Sequence, residues 1–467
     1  MSDSDLLERL ARIVGPRNVL TEADAFAGAL VEPRGLYFGS ARALVRPANT
    51  QEVAAVVAAC AAAHTPITPQ GGNTGLVGGQ TPEGPEIVLS LSRLKQVREV
   101  DALADVMIVE AGVTLAEAQA AAERADRLFP LSLASEGSCT IGGNLSTNAG
   151  GVAVLAYGNA RELTTGVEVV LADGRIVNAL SKLRKDNTGY DLKNLFVGSE
   201  GTLGVITAAA LKLFARPRAR ETAFVGLESP ARALNLFRSA RSAFGSDVVS
   251  FELIPRIALE FVLRHSPGAR DPLSATHPWY VLVEVAAQVG GGLADAFAEW
   301  LGGAAEAELI SDAALAASGE QRAAFWRLRE DISDTQKYEG GSIKHDVSVP
   351  IGAVPDFLAE AERAVLRRTP GARIVAFGHM GDGNIHFNVS QPLGADKQRF
   401  LADWEGTNEV VHEIVESYEG SFSAEHGIGQ LKRDLLARKK DPTSLDVMRK
   451  IKAALDPNGI LNPGKVL

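Results

Sequence analysis

Short apolar runs and glycine-rich turns alternate through the first half of the chain. Segment 50–64 (TQEVAAVVAACAAAH) reads as a helix opened by Thr50, with Glu52 in its first turn, where the positive end of a helix favours an acid. A short strand at 66–68 leads into a glycine loop at 71–79. The runs 86–91 (EIVLSL) and 105–111 (DVMIVEA) have strand composition, and 114–125 reads as a helix that Thr114 can cap. In 165–180, β-branched runs flank Asp173-Gly174, a two-residue turn signal, so a hairpin is expected. A further strand is expected at 204–213.

At 216–218 (RPR) the pattern changes. Strands at 222–227, 247–253, 279–286 and 307–310 alternate with helices at 230–243, 255–264 and 291–301. Such alternation suits a split βαβ sheet with helices on one face. A polar helix at 319–338, a strand at 343–349 and a helix at 353–368 follow. Glycine-rich segments return at 378–383 and 426–429, and the tail, 443–467, is a helix followed by an irregular DPNGILNPGK.

Composition narrows the class. Hydrophobic residues make up 46% and charged residues 22% of the chain, which is ordinary globular usage. A length of 467 residues predicts two to four domains. The net charge of −10 argues against nucleic acid as a partner, since phosphate binding needs a basic surface. Two cysteines, Cys60 and Cys139, cannot build a disulfide framework and point to a reducing compartment. The opening MSDSDLLERL has acids where a targeting peptide would carry Lys or Arg, and the longest uncharged apolar run, 53–63, is too short to cross a bilayer. A soluble, cytoplasmic protein without a transmembrane segment is expected. Glycine, at 46 residues, is in excess, and the excess is clustered.

The first cluster is Pro69-Gln70-Gly71-Gly72-Asn73-Thr74-Gly75-Leu76-Val77-Gly78-Gly79, directly after a strand. Glycines allow sharp turns that aim several N–H groups at one point, an anion nest for phosphate or pyrophosphate. No GK[ST] follows and GxGxxG is absent, so it is neither a P-loop nor a Rossmann loop, and alone it reads equally as a plain turn. Two more clusters tip that balance. One is Gly137-Ser138-Cys139-Thr140-Ile141-Gly142-Gly143-Asn144-Leu145-Ser146-Thr147-Asn148-Ala149-Gly150-Gly151. The other is Gly198-Ser199-Glu200-Gly201-Thr202-Leu203-Gly204-Val205-Ile206-Thr207. The ordered trio, within about 35–215, resembles the FAD-binding domain of the vanillyl-alcohol oxidase and p-cresol methylhydroxylase superfamily. The resemblance implies FAD pyrophosphate on 71–75, with adenine, ribose and flavin edge contacted by 137–151 and 200–206. Some members attach the flavin through a histidine of the first loop. Asn73 and Thr74 stand there instead, so non-covalent FAD is expected.

A second kind of signal lies in 376–390, AFGHMGDGNIHFNVS. If the two strands pair, His379 and His386 point to one side, and Asn388 shares a face with His386 by the period of two. Two such imidazoles suit a divalent metal, although core or turn histidines share the spacing. The motif Ser423-Ala424-Glu425-His426-Gly427-Ile428-Gly429 adds a carboxylate and a further imidazole, a set suited to an open catalytic site with a general base.

These two motifs with the terminal LDPNGILNPGK closely resemble the FAD-linked 2-hydroxy-acid dehydrogenase branch of the superfamily, now over nearly the whole chain. By that resemblance His379, His386 and Glu425 are metal ligands, Zn²⁺ being favoured, His426 is the base and Asn462 approaches the flavin. The fold implied is α+β: a FAD-binding domain at 1–217 completed by 431–467, an α/β substrate-binding lobe at 218–378, and a small segment, 379–430, that carries metal and base. In 326–333 (WRLREDIS), Arg329 and Ser333 share a face if helical, and in 343–350 (IKHDVSVP) the residues Lys344, Asp346 and Ser348 share a strand face. The pattern is similar to the Arg, Thr and Lys set of the D-2-hydroxyglutarate dehydrogenases of this branch, with Ser333 for the usual Thr. It implies a D-2-hydroxy diacid, D-2-hydroxyglutarate or D-malate, with metal at the C1 carboxylate and cations at the far one. D-lactate or glycolate oxidation, a non-catalytic FAD-binding subunit and a flavin-free metal-dependent hydrolase are the other readings. By the resemblance, the electron acceptor is an electron-transferring flavoprotein or a quinone, and the assembly a homodimer.

Overall fold

A computed structural model describes residues 3–288 and 290–467. The chain divides into two compact units. The first comprises the residues up to Gly150, then Gly158–Arg216 and Glu425–Leu467; the second comprises Gly151–Tyr157 and Pro217–Ala424. The expected third segment, 379–430, is thus shared between them, and a short piece after the second glycine cluster joins the second unit. There Ser250 Oγ donates to the Val152 carbonyl at 2.6 Å.

In the first unit, Ala41–Val45 and Ile67–Gln70 flank Glu86–Ser90 in parallel. The connecting helix Thr50–Ala62 buries Val53, Val56, Val57 and Cys60 in the same core as Ile67, Ile87 and Leu89. Its cap is Asn49, whose side chain accepts from the Glu52 N–H at 2.9 Å. Thr50, the expected cap, is buried and donates instead to Glu168 Oε1 at 2.6 Å, inside the fold rather than at the helix end. Thr114 does cap its helix, in a reciprocal box with Glu117. A second, antiparallel sheet runs in the order Val97–Asp101, Val106–Glu110, Val205–Lys212, Thr164–Val170, Ile176–Ala179. Its last two strands form the expected hairpin, with Gly174 at φ +86° in the turn. The tail returns here: Asn462 N–H donates to the Ile67 carbonyl at 2.8 Å, and Lys452 Nζ donates to the Thr202 carbonyl at 2.8 Å.

The second unit is built on an eight-stranded sheet whose central strands are Trp279–Ala287, Val248–Pro255, Arg373–His379 and Asn384–Ser390, all antiparallel. Helices cover both faces, not one. Phe251 and Leu253 join a core with helix residues Leu236, Phe297 and Phe357, while Ile254 joins one with Leu259, Phe325 and Leu328. That is why Val248–Pro255 is buried at every position. Three local expectations shift. Helix Leu293–Glu306 runs on, so the next strand is Asp312–Leu315. The polar helix stops at Glu330 and resumes as Ile332–Thr335 and a 3-10 turn, Gln336–Glu339. The strand expected at 343–349 is two short pairings, Ser342–Ile343 and Val347–Ser348, with Lys344, His345 and Asp346 between them. Among the described residues no helix is long and apolar enough to cross a membrane.

Candidate active site

In the first unit the three glycine segments meet. A Cβ on Gly72 would fall on the Ser138 carbonyl oxygen, and one on Gly71 would fall on the Thr140 hydroxyl. Gly75 packs against the Gln80 side chain, and Gly78, at φ +69°, lies over the Tyr37 ring. Asn73 sits at φ +53° and donates through Nδ2 to the Gly28 carbonyl at 2.8 Å and the Val31 carbonyl at 3.1 Å. In the second cluster Gly142 packs on Ala111, Thr147 Oγ1 donates to Gly143 at 3.2 Å and Asn148 Oδ1 accepts from Arg161 N–H at 3.0 Å. Gly137 and Ser138 are exposed, Ile141 and Asn144 buried. In the third, Gly201 lies on Pro69, Gly204 on Val169 and Phe196, and Ile206 is buried in its strand. Among the described residues, three buried acceptors here have no hydrogen-bond partner: Asn73 Oδ1, Thr140 Oγ1 and Asn462 Oδ1. Orphaned buried oxygens beside glycines with no room for a side chain are what a polar cofactor satisfies, so these residues fit FAD.

Glu200, on the third cluster, holds the C-terminal turn by that turn's backbone. It is buried, at φ +51°, and its two carboxylate oxygens accept from Ile428 N–H at 2.7 Å and Gly429 N–H at 2.8 Å. Burial raises its pKa, and those two amides work against the rise. Asn462 Nδ2 donates to the Glu200 carbonyl at 2.7 Å and the Gly79 carbonyl at 2.9 Å. Gln430 bonds to Val77, Gly78 and Thr81, each at 2.9 Å. The turn that carries Glu425 and His426 is therefore built on the first glycine loop and on Glu200.

The second unit supplies a sheet face. Pairing places Glu252 opposite His379, His379 opposite Asn384, Phe377 opposite His386 and Val375 opposite Asn388. Cross-strand partners share a face, so His379, His386 and Asn388 stand together with Glu252. The two imidazole centroids are 5.6 Å apart. His379 Nδ1 is 2.8 Å from Glu252 Oε1, and Arg329 Nε donates to Glu252 Oε2 at 2.8 Å. Burial opposes the Glu252 charge, but His379 and Arg329 win and hold its pKa at about 2. Arg329 is only 6% exposed, lies 4.8 Å over the Phe377 ring and, among the described residues, leaves Nη2 without a hydrogen-bond partner. His386 Nδ1 lies 3.9 Å from Asp346 Oδ1, which accepts from Asn384 Nδ2 at 3.0 Å. Asn388 Nδ2 donates to Gln336 Oε1 at 3.1 Å. Lys344 is half-buried, and its Nζ donates to the Ser333 carbonyl at 3.3 Å, whereas the Ser333 side chain is exposed. Ala424, the residue before Glu425, donates to the Asp346 carbonyl at 3.3 Å. Two imidazoles on one sheet face with buried carboxylates beside them are a donor set that fits a divalent cation.

Sequence reasoning did not assign Glu252 or Asp346. Glu252 is 127 residues from His379. Asp346 was visible only as a neighbour of Lys344, though a buried carboxylate beside a candidate ligand histidine is itself a metal signal.

The architecture is an α+β FAD-binding fold of the p-cresol methylhydroxylase type. p-Cresol methylhydroxylase with substrate bound superposes with a TM-score of 0.77 at 17% identity, covering 99% of this chain and 96% of that one. The description "FAD binding domain" matches residues 41–180, and "FAD linked oxidases, C-terminal domain" matches 216–466. D-2-hydroxyglutarate dehydrogenase, mitochondrial, of Bos taurus is 39% identical over 465 residues, 99% of this chain and 83% of that one. D-2-hydroxyglutarate dehydrogenase of Xanthomonas citri pv. viticola is 37% identical over 425 residues, 91% of this chain and 89% of that one. The chain belongs to the FAD-linked oxidases, in the group that contains these dehydrogenases, and binds FAD as its cofactor. One expectation falls here: a cytoplasmic location is overturned by the relatives of Bos taurus, Danio rerio, Arabidopsis thaliana and Rattus norvegicus, all named mitochondrial.

Proposed function

We propose that this chain is an FAD-dependent D-2-hydroxyglutarate dehydrogenase that also uses a divalent metal. The observation that carries the diacid is Arg329: a buried guanidinium whose Nη2 has no hydrogen-bond partner among the described residues, packed over Phe377 on the sheet face of His379 and His386. Glu252 compensates its charge through Nε, and the buried Nη2 donor, without a partner among the described residues, is one that a ligand oxygen would satisfy. The names of the relatives agree. Arg329 and Lys344 hold the far carboxylate, Asn388 helps to seat the acid, and His379, His386 and Glu425 hold the metal, Zn²⁺ by preference, with Asp346 beside His386. His426 takes the C2 hydroxyl proton as general base. When bound, the flavin N5 supplies the acceptor for the C2 hydride, and the metal supplies a Lewis acid for the hydroxyl and C1 carboxylate. An electron-transferring flavoprotein or a quinone would be the electron acceptor.

A panel of D-2-hydroxy acids with an artificial acceptor, with and without a chelator, tests this. D-2-hydroxyglutarate, or the shorter D-malate, should outperform D-lactate, and chelation should abolish turnover while flavin stays bound. Equal or better turnover of D-lactate would remove the diacid assignment and favour the D-lactate reading, which has its own support in a putative D-lactate dehydrogenase of Schizosaccharomyces pombe at 34% identity over 473 residues. Full activity after chelation verified by metal analysis would remove the ligand assignment.

A further inference from the structure

We infer that Glu252 is a positioning residue whose single carboxylate fixes both the metal-side imidazole of His379 and the substrate-side guanidinium of Arg329. The inference rests on the metal-dependent, diacid reading above. Glu252 is 1% exposed and stands in the middle of a central strand, opposite His379 in the pairing. Its two oxygens are divided between the two partners, Oε1 at 2.8 Å from His379 Nδ1 and Oε2 at 2.8 Å from Arg329 Nε.

Each contact has a consequence at the partner's far end. A carboxylate at Nδ1 keeps the imidazole proton there, which leaves the lone pair at Nε2 and fixes the ring plane. At Arg329, Nε is taken by Glu252 and the guanidinium plane is held over Phe377, so the side chain meets a ligand through its Nη edge, where Nη2 is without a partner among the described residues. Metal geometry and recognition of the far carboxylate are therefore set by the same rigid group. Neither can be re-aimed without moving the other. Gln cannot replace it, because both partners donate: an amide accepts on one side and turns N–H against N–H on the other.

The test uses full-length, FAD-loaded Glu252→Gln protein. It is titrated with Zn²⁺ in competition with a chromophoric chelator, and KM for D-2-hydroxyglutarate and for D-lactate is measured at saturating Zn²⁺. Zn²⁺ affinity should fall on the order of 10–100-fold, as for other lost outer partners of a ligand histidine. KM for the diacid should rise by a larger factor than KM for D-lactate, with flavin absorbance unchanged. A Glu252 that only supports the fold would lower the melting temperature and leave both the Zn²⁺ affinity and the KM ratio alone, and that result overturns the inference. If the Gln variant yields no soluble protein, Glu252→Asp goes through the same two measurements, since it keeps the charge but loses a methylene of reach. Unchanged Zn²⁺ affinity and KM ratio in that variant likewise overturn it. Failure of the underlying reading shows separately, in unmodified enzyme that binds no Zn²⁺ or prefers D-lactate.

Discussion

In the function proposed above, the two units recognise their ligands in different ways. The first uses backbone: consecutive glycines, left-handed residues such as Asn73 and Glu200, and amide groups gathered by sharp turns. The second uses side chains that strand pairing and a packed helix bring from distant positions, Glu252, Arg329, His379 and His386. A site built on tight backbone is sensitive to any added atom. A side-chain site tolerates local volume but fails when one charge is removed. The turn at Glu425–Gly429 is the exception that joins the two styles, since Glu200 holds it by its amides while it presents a carboxylate and an imidazole.

That turn gives the largest expected effect. His426→Ala should lower turnover on the order of 10²–10⁴-fold, the range for loss of a general base. Flavin loading should be normal, because the backbone amides of Ile428 and Gly429, which the substitution keeps, tie the turn to Glu200. A folded, FAD-loaded variant with near-normal turnover removes the base role. The glycine loop should respond next, and in a definite order. Gly72→Ala drives a methyl into a backbone oxygen, that of Ser138, whereas Gly71→Ala meets the Thr140 hydroxyl, which can rotate. Overpacking of this kind costs about 1–3 kcal/mol, so FAD should bind roughly 10–100-fold more weakly in the first variant and less weakly in the second. Measured FAD dissociation constants in the opposite order would show that the loop is not held as its backbone suggests.

The same difference explains what was legible in the sequence. The glycine clusters are contiguous, so their chemistry could be read before any fold was known. The hairpin at Asp173-Gly174 and the capping box at Thr114 were legible for the same local reason. His379, His386 and Asn388 were placed on one face because the period of two acts within a short hairpin. Glu252 was hidden because its register with His379 depends on the order of strands in the sheet, which no local pattern carries. Ser333 shows the opposite failure. Helical spacing put its side chain with Arg329, but the helix stops at Glu330, the side chain turns to solvent, and its carbonyl receives Lys344.

A charge deletion in the side-chain site should sharpen the contrast at intermediate size. Arg329→Ala and Lys344→Ala should each cost about 1–3 kcal/mol in kcat/KM with D-2-hydroxyglutarate, the range for a lost charge-assisted hydrogen bond. Lys344→Ala should do little with D-lactate, which has no far carboxylate, whereas Arg329→Ala should also slow D-lactate, by a smaller factor than the diacid, because Glu252 then loses one of its two partners beside His379; neither should change FAD loading. Of the two, Arg329 should show the larger effect, since its charge is the more deeply buried. Equal losses with diacid and monoacid would place these cations in the fold and not at the substrate.

The smallest effect concerns how the second unit is held together by charge. Glu339 accepts from Arg373 Nη1 at 2.6 Å, lies 2.7 Å from His265 Nε2 and also pairs with Arg264. Burial works against its charge, but these partners prevail and bring its pKa from 4.5 down to about 2. A carboxylate depressed in the folded state binds its proton more readily in the unfolded one. Its contribution to stability is therefore complete above about pH 4.5 and is lost as the pH falls through about 2. Glu339→Gln removes that contribution. Near pH 7 the variant should melt about 2–4 °C below the unmodified protein, the shift expected for roughly 1 kcal/mol in a unit of this size. The gap should close progressively below pH 4.5. In the first unit burial pushes Glu200 the other way, so its linkage has the opposite sign and cannot produce the same closing gap. A constant difference in melting temperature from pH 7 down to pH 3 would mean that Glu339 acts through packing, and the electrostatic account of this part of the second unit would not stand.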